Sequence, residues 1–274
     1  MTRILIAEGN TPELCARRDA ARLPNAAEGY GLALQHFAPD LEIAITRPYF
    51  DGWRLEEVDL AGIDGFVVTG SGVAWSGADA RARPFWELYG RVFEAGIPAL
   101  GSCWGLQTAA VALGGDTEAG PNGMEQGFAR GVTLTEAGAQ HPMHRGRGQR
   151  FDVLAMHRDD VTRVPTGAVV TASNAHTAVQ GMVYEAGDTQ FWGVQYHPEI
   201  NLTDVAYYFS RDQGTFAGHA VSLDEASRDL HAVVADPAGE TALRHRYAIG
   251  DELLDHDVHG LELKNWLAHK VLAG

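Results

Sequence analysis

Cysteine is scarce in this chain: of 274 residues, only Cys15 and Cys103 are cysteines. Two thiols do not make a disulfide framework, and the expectation is a protein of a reducing, cytoplasmic compartment. Basic charge is short as well, with 21 Lys and Arg against 36 Asp and Glu, a formal net charge of −15. That excess of acid argues against nucleic acid or an anionic membrane surface as a partner. No apolar run approaches the roughly 20 residues that a membrane-spanning helix needs. The opening MTRILIAEGN reads as a first strand, its apolar run being too short for a signal-peptide core. Internal repeats and low-complexity linkers are lacking too. What is there is a globular composition, 45% hydrophobic and 21% charged, on a chain long enough for one large α/β unit with a terminal addition.

The first half alternates apolar runs with amphipathic stretches. RILIA (3–7), LEIAIT (41–46), DGFVVTG (64–70) and IPALG (97–101) read as strands; 27–37 and 82–96 read as helices. This rhythm implies βαβ units and a mostly parallel sheet. From about Gly131 the pattern changes to five strand-like segments separated by turns, VTLTE, FDVLAM, AVVTAS, VQGMVYE and FWGVQYH. They predict an antiparallel extension of the same sheet. Helical patterning then returns over 203–211, 223–234 and 260–272. The division expected is a main unit over 1–210 and a helical C-terminal extension over 211–274, packed on the same domain.

Between the fourth strand and the helix that follows lies GSCWGLQ (101–107). A Gly-x-Cys-x-Gly string at a strand-to-helix turn has the form of a nucleophile elbow. Gly101 and Gly105 leave room for the two backbones to approach, and Cys103 is lifted to the N-terminus of the helix, where the dipole favours a thiolate. The backbone N–H of Trp104 faces the same space and suits an oxyanion. The alternative is a buried structural cysteine in a Gly-rich turn. GVQYHPEI (193–200) supplies a base: His197 ends an apolar strand, where open α/β sheets place their sites. Glu199, two residues on in an extended chain, points the same way and reaches the imidazole. Pro198 keeps the pair extended. The order Cys, His, Glu differs from the nucleophile–acid–His order of the α/β-hydrolases.

GSCWGLQ together with GVQYHPE resembles the class I (triad) glutamine amidotransferases, and further segments extend the likeness over about 3–200. VVTGSGVAWSGAD looks like the oxyanion loop after the third strand, ALGGDTEAGPNGMEQG like a helix end with its Glu-x-Gly segment, and MHRDDVTRVPTGAVVTAS like the family's following stretch. The nearest likeness is to stand-alone members similar to the amidotransferase domain of GMP synthase. The resemblance implies a flavodoxin-like three-layer α/β/α fold and hydrolysis of a glutamine side-chain amide through a γ-glutamyl thioester. Cys103 would attack, His197 would protonate the departing ammonia and Glu199 would orient His197. Trp104 and Gly72 would hold the oxyanion. Gln107, and less closely Asn174 and His176 in the 174–177 segment, would contact the substrate.

Departures from the family pattern bear on the substrate. Gln126 stands where an aromatic residue is usual, the segment 8–31 is longer than the usual first loop, and little is recognisable after Asn201. No synthetase-like segment follows, so an ammonia acceptor would be a separate enzyme. The long N-terminal loop and helical C-terminus also suit a hydrolase of γ-glutamyl derivatives of other amines, and a catalytically silent binding protein on the same fold stays open, as does a homo-oligomer. QHPMHRGRGQR (140–150) reads as a solvated basic loop or a partner contact. His245, His256, His259 and His269 lack a compact ligand spacing, so neither a metal nor another cofactor is expected. The FWELY aromatics (85–89) are expected in the core.

Overall fold

A computed structural model describes residues 1–273. Strands β1 (Arg3–Ala7), β2 (Glu42–Thr46), β3 (Gly65–Val68), β4 (Ala99–Ser102), β6 (Glu125–Leu134), β7 (Arg150–His157), β9 (Val169–Ser173), β10 (Gly181–Ala186) and β11 (Thr189–Val194) form one nine-stranded sheet, ordered β2-β1-β3-β4-β11-β10-β9-β6-β7. The run from β2 to β11 is parallel, and every pairing from β11 to β7 is antiparallel. Two short strands, β5 (Asp116–Ala119) and β8 (Asp159–Arg163), pair separately. They carry DTEA and DDVTR, too polar for an apolar-run reading to find.

Helices α1 (Pro12–Ala20), α2 (Ala26–Phe37), α3 (Arg83–Glu94), α4 (Trp104–Ala112), α5 (Glu136–Gln140), α6 (Leu202–Arg211), α7 (Leu223–Ala235), α8 (Thr241–Arg246), α9 (His256–His259) and α10 (Leu261–Trp266) complete the fold. The parallel half carries helices on both faces, the three-layer flavodoxin-like arrangement. On one face α3 and α4 bury Phe85, Leu88, Tyr89 and Leu106 against Val68 and Phe191. On the other, Tyr30 and Leu34 of α2 share a core with Ile4, Ile6, Val67 and Trp192. The first-loop segment contains α1, which opens with Pro at its first turn, a position that suits proline's fixed φ.

Residues after 211 pack onto this sheet. Leu223, Ala226 and Leu230 of α7 join Val205 and Phe209 of α6 over Phe128 and Leu154 of the antiparallel strands. Leu263 and Trp266 of α10 join the core beside β1 and β3. The final helical stretch is not continuous α-helix, since α10 passes into a π-helical turn over Leu267–Val271.

The basic segment 140–150 differs from a solvated loop. His144 is buried, and Arg147 forms two hydrogen bonds to the fully buried Glu262 of α10, at 2.9 and 2.7 Å. His144 and the Tyr196 hydroxyl also approach Glu262. Burial raises the cost of the carboxylate charge, but the Arg147 guanidinium outweighs it and holds Glu262 far below the ordinary carboxylate value. Part of this loop's charge therefore fastens the C-terminal helix. Arg147→Ala should lower stability by about 3–5 kcal/mol, because it leaves the carboxylate buried and unpaired. In denaturant unfolding, the double variant Arg147→Met/Glu262→Leu should recover most of that loss.

Candidate active site

The elbow forms because β4 and α4 meet at one residue. Cys103 lies between them with φ +51° and ψ −103°, a conformation that L side chains rarely adopt. A Cβ on Gly105 would stand 2.2 Å from the Val68 carbonyl oxygen, and one on Gly101 would stand 2.5 Å from the Gly105 carbonyl carbon. Both glycines are thus required by backbone approach, as the motif implies. The Cys103 N–H donates to the Val194 carbonyl at 2.8 Å, which carries the β4–β11 pairing one residue past the strand. Its thiol donates to the Met156 carbonyl at 3.6 Å. Trp104 is the first residue of α4, where a backbone N–H has no intrahelical acceptor.

Three residues beyond β11, His197 stands beside Cys103. Its Nδ1 is 2.7 Å from Glu199 Oε1, both side chains being nearly enclosed. Burial opposes a charge on His197, but the Glu199 carboxylate and hydrogen bonding with Cys103 outweigh it and hold the imidazole well above its ordinary value. The ring is wedged from behind: a Cβ on Gly70 would fall 2.5 Å from its Cε1. His259 of α9 donates from Nε2 to the His197 carbonyl at 2.8 Å, and burial pushes His259 down to about 3, so the donor is neutral imidazole. No local pattern in the sequence places His259 beside His197. The other C-terminal histidines lie elsewhere; His256, for instance, packs on Phe37.

A cavity of about 300 Å³ opens in front of Cys103 and His197, walled by the loop after β3, the β7–β8 edge and the end of α6. Gly72 and Trp104 line it as expected. The Gly72 N–H, however, is already engaged, donating to Asn10 Oδ1 at 2.9 Å. Asn10 in turn donates to the buried Glu8, and Ser71 Oγ donates to the Gly9 carbonyl. In this conformation Trp104 is therefore the expected oxyanion donor that remains available. Gln107 also lines the cavity, with Nε2 donating to the Asp159 carbonyl at 2.7 Å.

Asn174 and His176 are placed differently. They line a neighbouring open depression, and the Asn174 amide is spent on Glu125 Oε1 and on the His176 and Thr177 N–H groups. The strand edge that faces the Cys103 cavity is Met156, His157, Arg158 and Asp159. These four open the MHRDD segment already singled out, but strand spacing alone does not show which of two successive edges turns inward.

His157 is the charged centre of that edge. It is buried between Glu125 Oε2 at 2.8 Å and Asp160 Oδ1 at 3.2 Å. Burial pulls its value down, yet the two carboxylates prevail and lift it to about 9. Cys15 has the opposite environment: burial pushes its thiol up to about 12, so it stays protonated on α1.

With this geometry in hand, the family follows. The model for class-I glutamine amidotransferases matches residues 39–214. A gamma-glutamyl-L-1-hydroxyisopropylamide hydrolase of Pseudomonas is 32% identical over 98% of this chain and 93% of its own. The chain belongs to the class-I glutamine amidotransferase family. A GMP synthase of Symbiobacterium thermophilum is 40% identical over 51% of the chain, but the match spans only 25% of that relative. Among solved structures, a glutamine amidotransferase of Thermotoga maritima superposes over 98% of both chains with a TM-score of 0.65 at 19% identity. One of Methylobacillus flagellatus covers 97% of this chain and 94% of its own, with a TM-score of 0.57 at 16% identity. At such identities these two establish the fold alone. Among the described residues no helix is long and apolar enough to cross a membrane.

Two outcomes follow from the strained elbow and the buried histidine. Cys103→Gly should be more stable than Cys103→Ala, by about 1–3 kcal/mol in denaturant unfolding, because only glycine adopts this backbone freely. His157 binds its proton more tightly folded than unfolded, with about 9 against an ordinary 6.5. Its contribution is then fully present below pH 6.5 and lost as the pH rises through 9. The melting temperature should fall over that window, and His157→Gln should flatten the slope.

Proposed function

We propose that this protein hydrolyses γ-glutamyl amides, with Cys103 as nucleophile, His197 as general acid and base, and Glu199 as the group that orients His197. The observation that carries this reading is the juxtaposition of a forced elbow cysteine with a buried His197 held by Glu199 at 2.7 Å. Cys103 Sγ adds to the side-chain amide carbon as its thiol proton passes to His197, and the negative charge that develops on the carbonyl oxygen is met at the N-terminus of α4 by the Trp104 N–H. His197 delivers that proton to the departing nitrogen as the C–N bond breaks. A γ-glutamyl thioester remains on Cys103. Water then attacks the thioester carbon, gives a proton to His197 and releases glutamate, and the thiol is restored.

Contact of Gly72 with the oxyanion requires its N–H to leave Asn10, so Trp104 is the donor ready at the outset. The substrate's amino-acid end is assigned to the Met156–Asp159 edge and Gln107. Free glutamine fits this chemistry, with ammonia leaving for a separate acceptor. The full-length match to a hydrolase of a substituted γ-glutamyl amide, against the partial match to GMP synthases, favours amides of larger amines.

Glutamate release from glutamine and from a panel of γ-glutamyl amides tests the reading. Cys103→Ala should abolish release from every substrate, and Glu199→Gln should lower kcat by about 10²–10⁴-fold while leaving the fold intact by circular dichroism. Full turnover by Cys103→Ala would overturn the assignment.

A further inference from the structure

The family model matches residues 39–214, yet a residue well beyond that span reaches the proposed base. We propose that His259, on α9, is a positioning residue for the His197–Glu199 pair: by holding the His197 carbonyl it sets the angle at which Glu199 meets the imidazole, without touching the substrate. The proposal deepens the γ-glutamyl amide reading and rests on it for the reaction that the pair serves.

The need for such a group arises in the chain itself. His197 stands three residues beyond the end of β11, past the last pairing with β4 at Val194 and Ser102. Its N–H donates to the Leu154 carbonyl of β7 at 2.8 Å. The next peptide, between His197 and Pro198, has no N–H, so its carbonyl is the one polar group by which it can be held. His259 donates to that carbonyl from Nε2 at 2.8 Å. A carbonyl oxygen only accepts, so Nε2 carries the hydrogen. The Pro198 ring fixes one of the torsions that follow this peptide, and a turn of the peptide plane therefore moves Glu199 relative to the imidazole. The 2.7 Å contact between His197 Nδ1 and Glu199 Oε1 depends on that plane staying where it is.

His259 is itself held from several sides. It is 2% exposed, and its N–H donates to the Asp255 carbonyl at 2.8 Å. Its own carbonyl accepts from Arg147 Nη2 at 2.7 Å. That guanidinium is paired with the buried Glu262, which also accepts from the Tyr196 hydroxyl at 3.0 Å. Two successive residues, Tyr196 and His197, are in this way tied to α9 and α10. On the far side a Cβ on Gly260 would stand 2.9 Å from the Phe37 ring, so the end of α9 is pressed against α2. His259 is not among the residues that line the Cys103 cavity, and its influence therefore falls on turnover and not on substrate binding.

The test separates the hydrogen bond from the packing. His259→Phe keeps a ring of similar size and removes the donor, whereas His259→Gln keeps a side-chain N–H that reaches about as far from Cα as Nε2. On a γ-glutamyl amide, His259→Phe should lower kcat by about 10–100-fold, the scale on which misplacement by about 1 Å acts, and leave KM within about twofold. His259→Gln should return kcat to within about threefold of the wild type, because the bond to the carbonyl is remade. A merely structural role would move both variants with their melting temperatures and would not single out kcat. Should His259→Phe fail to fold, His259→Asn takes its place, its amide being a methylene too short to reach. Wild-type kcat in His259→Phe, a change confined to KM, or a His259→Gln protein no better than His259→Phe overturns the proposal.

A second measurement needs no turnover. The His197 Nδ1–H shared with Glu199 gives a low-field proton resonance, which should shift or vanish in His259→Phe and persist in His259→Gln. If the wild type hydrolyses no γ-glutamyl amide, the catalytic reading fails and this resonance still decides the role of His259. A signal unchanged in His259→Phe, or absent from the wild type, overturns it.

Discussion

The parallel pairing of β4 with β11 is the constraint on which the site depends. It sets Gly101 opposite Gly193 and Ser102 opposite Val194, so the elbow and the His-Pro-Glu turn leave the sheet at the same end and side by side. β11 is also the strand where the sheet changes direction, parallel to β4 and antiparallel to β10. Parallel strands require both faces to be covered, and α3, α4 and α2 supply that cover. Because Cys103 is forced into an unfavourable backbone conformation, the surroundings must over-determine it. The Val194 carbonyl and the contact of Gly105 with Val68 do so.

Around this axis the protein places its buried charges in compensated groups. Glu262 is met by Arg147, His144 and Tyr196; Glu125 by His157, Asn174 and Gln180; Glu199 by His197. A buried carboxylate is tolerable only where donors converge on it. The groups around Glu262 and Glu125 also join segments far apart in sequence, and His259 adds a neutral bond to the backbone of His197 itself. The C-terminal helices are therefore part of the scaffold that holds the candidate site.

Much of this was legible in the sequence. The apolar runs marked the parallel strands, of which β1, β3 and β4 are buried on both faces, and the Gly-x-Cys-x-Gly spacing marked the elbow because its glycines answer a steric demand. His197 and Glu199 were legible through the two-residue period of extended chain. Three things were not. The polar strands β5 and β8 form a small sheet outside the main core and carry no apolar signal. The inward-facing edge at Met156–Asp159 is selected by tertiary packing, and Asn174 and His176, one strand further on, have the same local pattern. The charge in 140–150 looks solvated until Glu262, more than a hundred residues later, is seen to bury Arg147. Long-range pairing was in each case the missing information.

The placement of β11 between β4 and β10 has a consequence for how the protein comes into being. During synthesis Cys103 leaves the ribosome well ahead of His197, and the strand that leads to His197 enters as an interior member of the sheet. Until β11 is seated, the elbow lacks the Val194 carbonyl and the cysteine lacks His197. The meeting of the two side chains is a late event of folding, timed by the closure of the sheet.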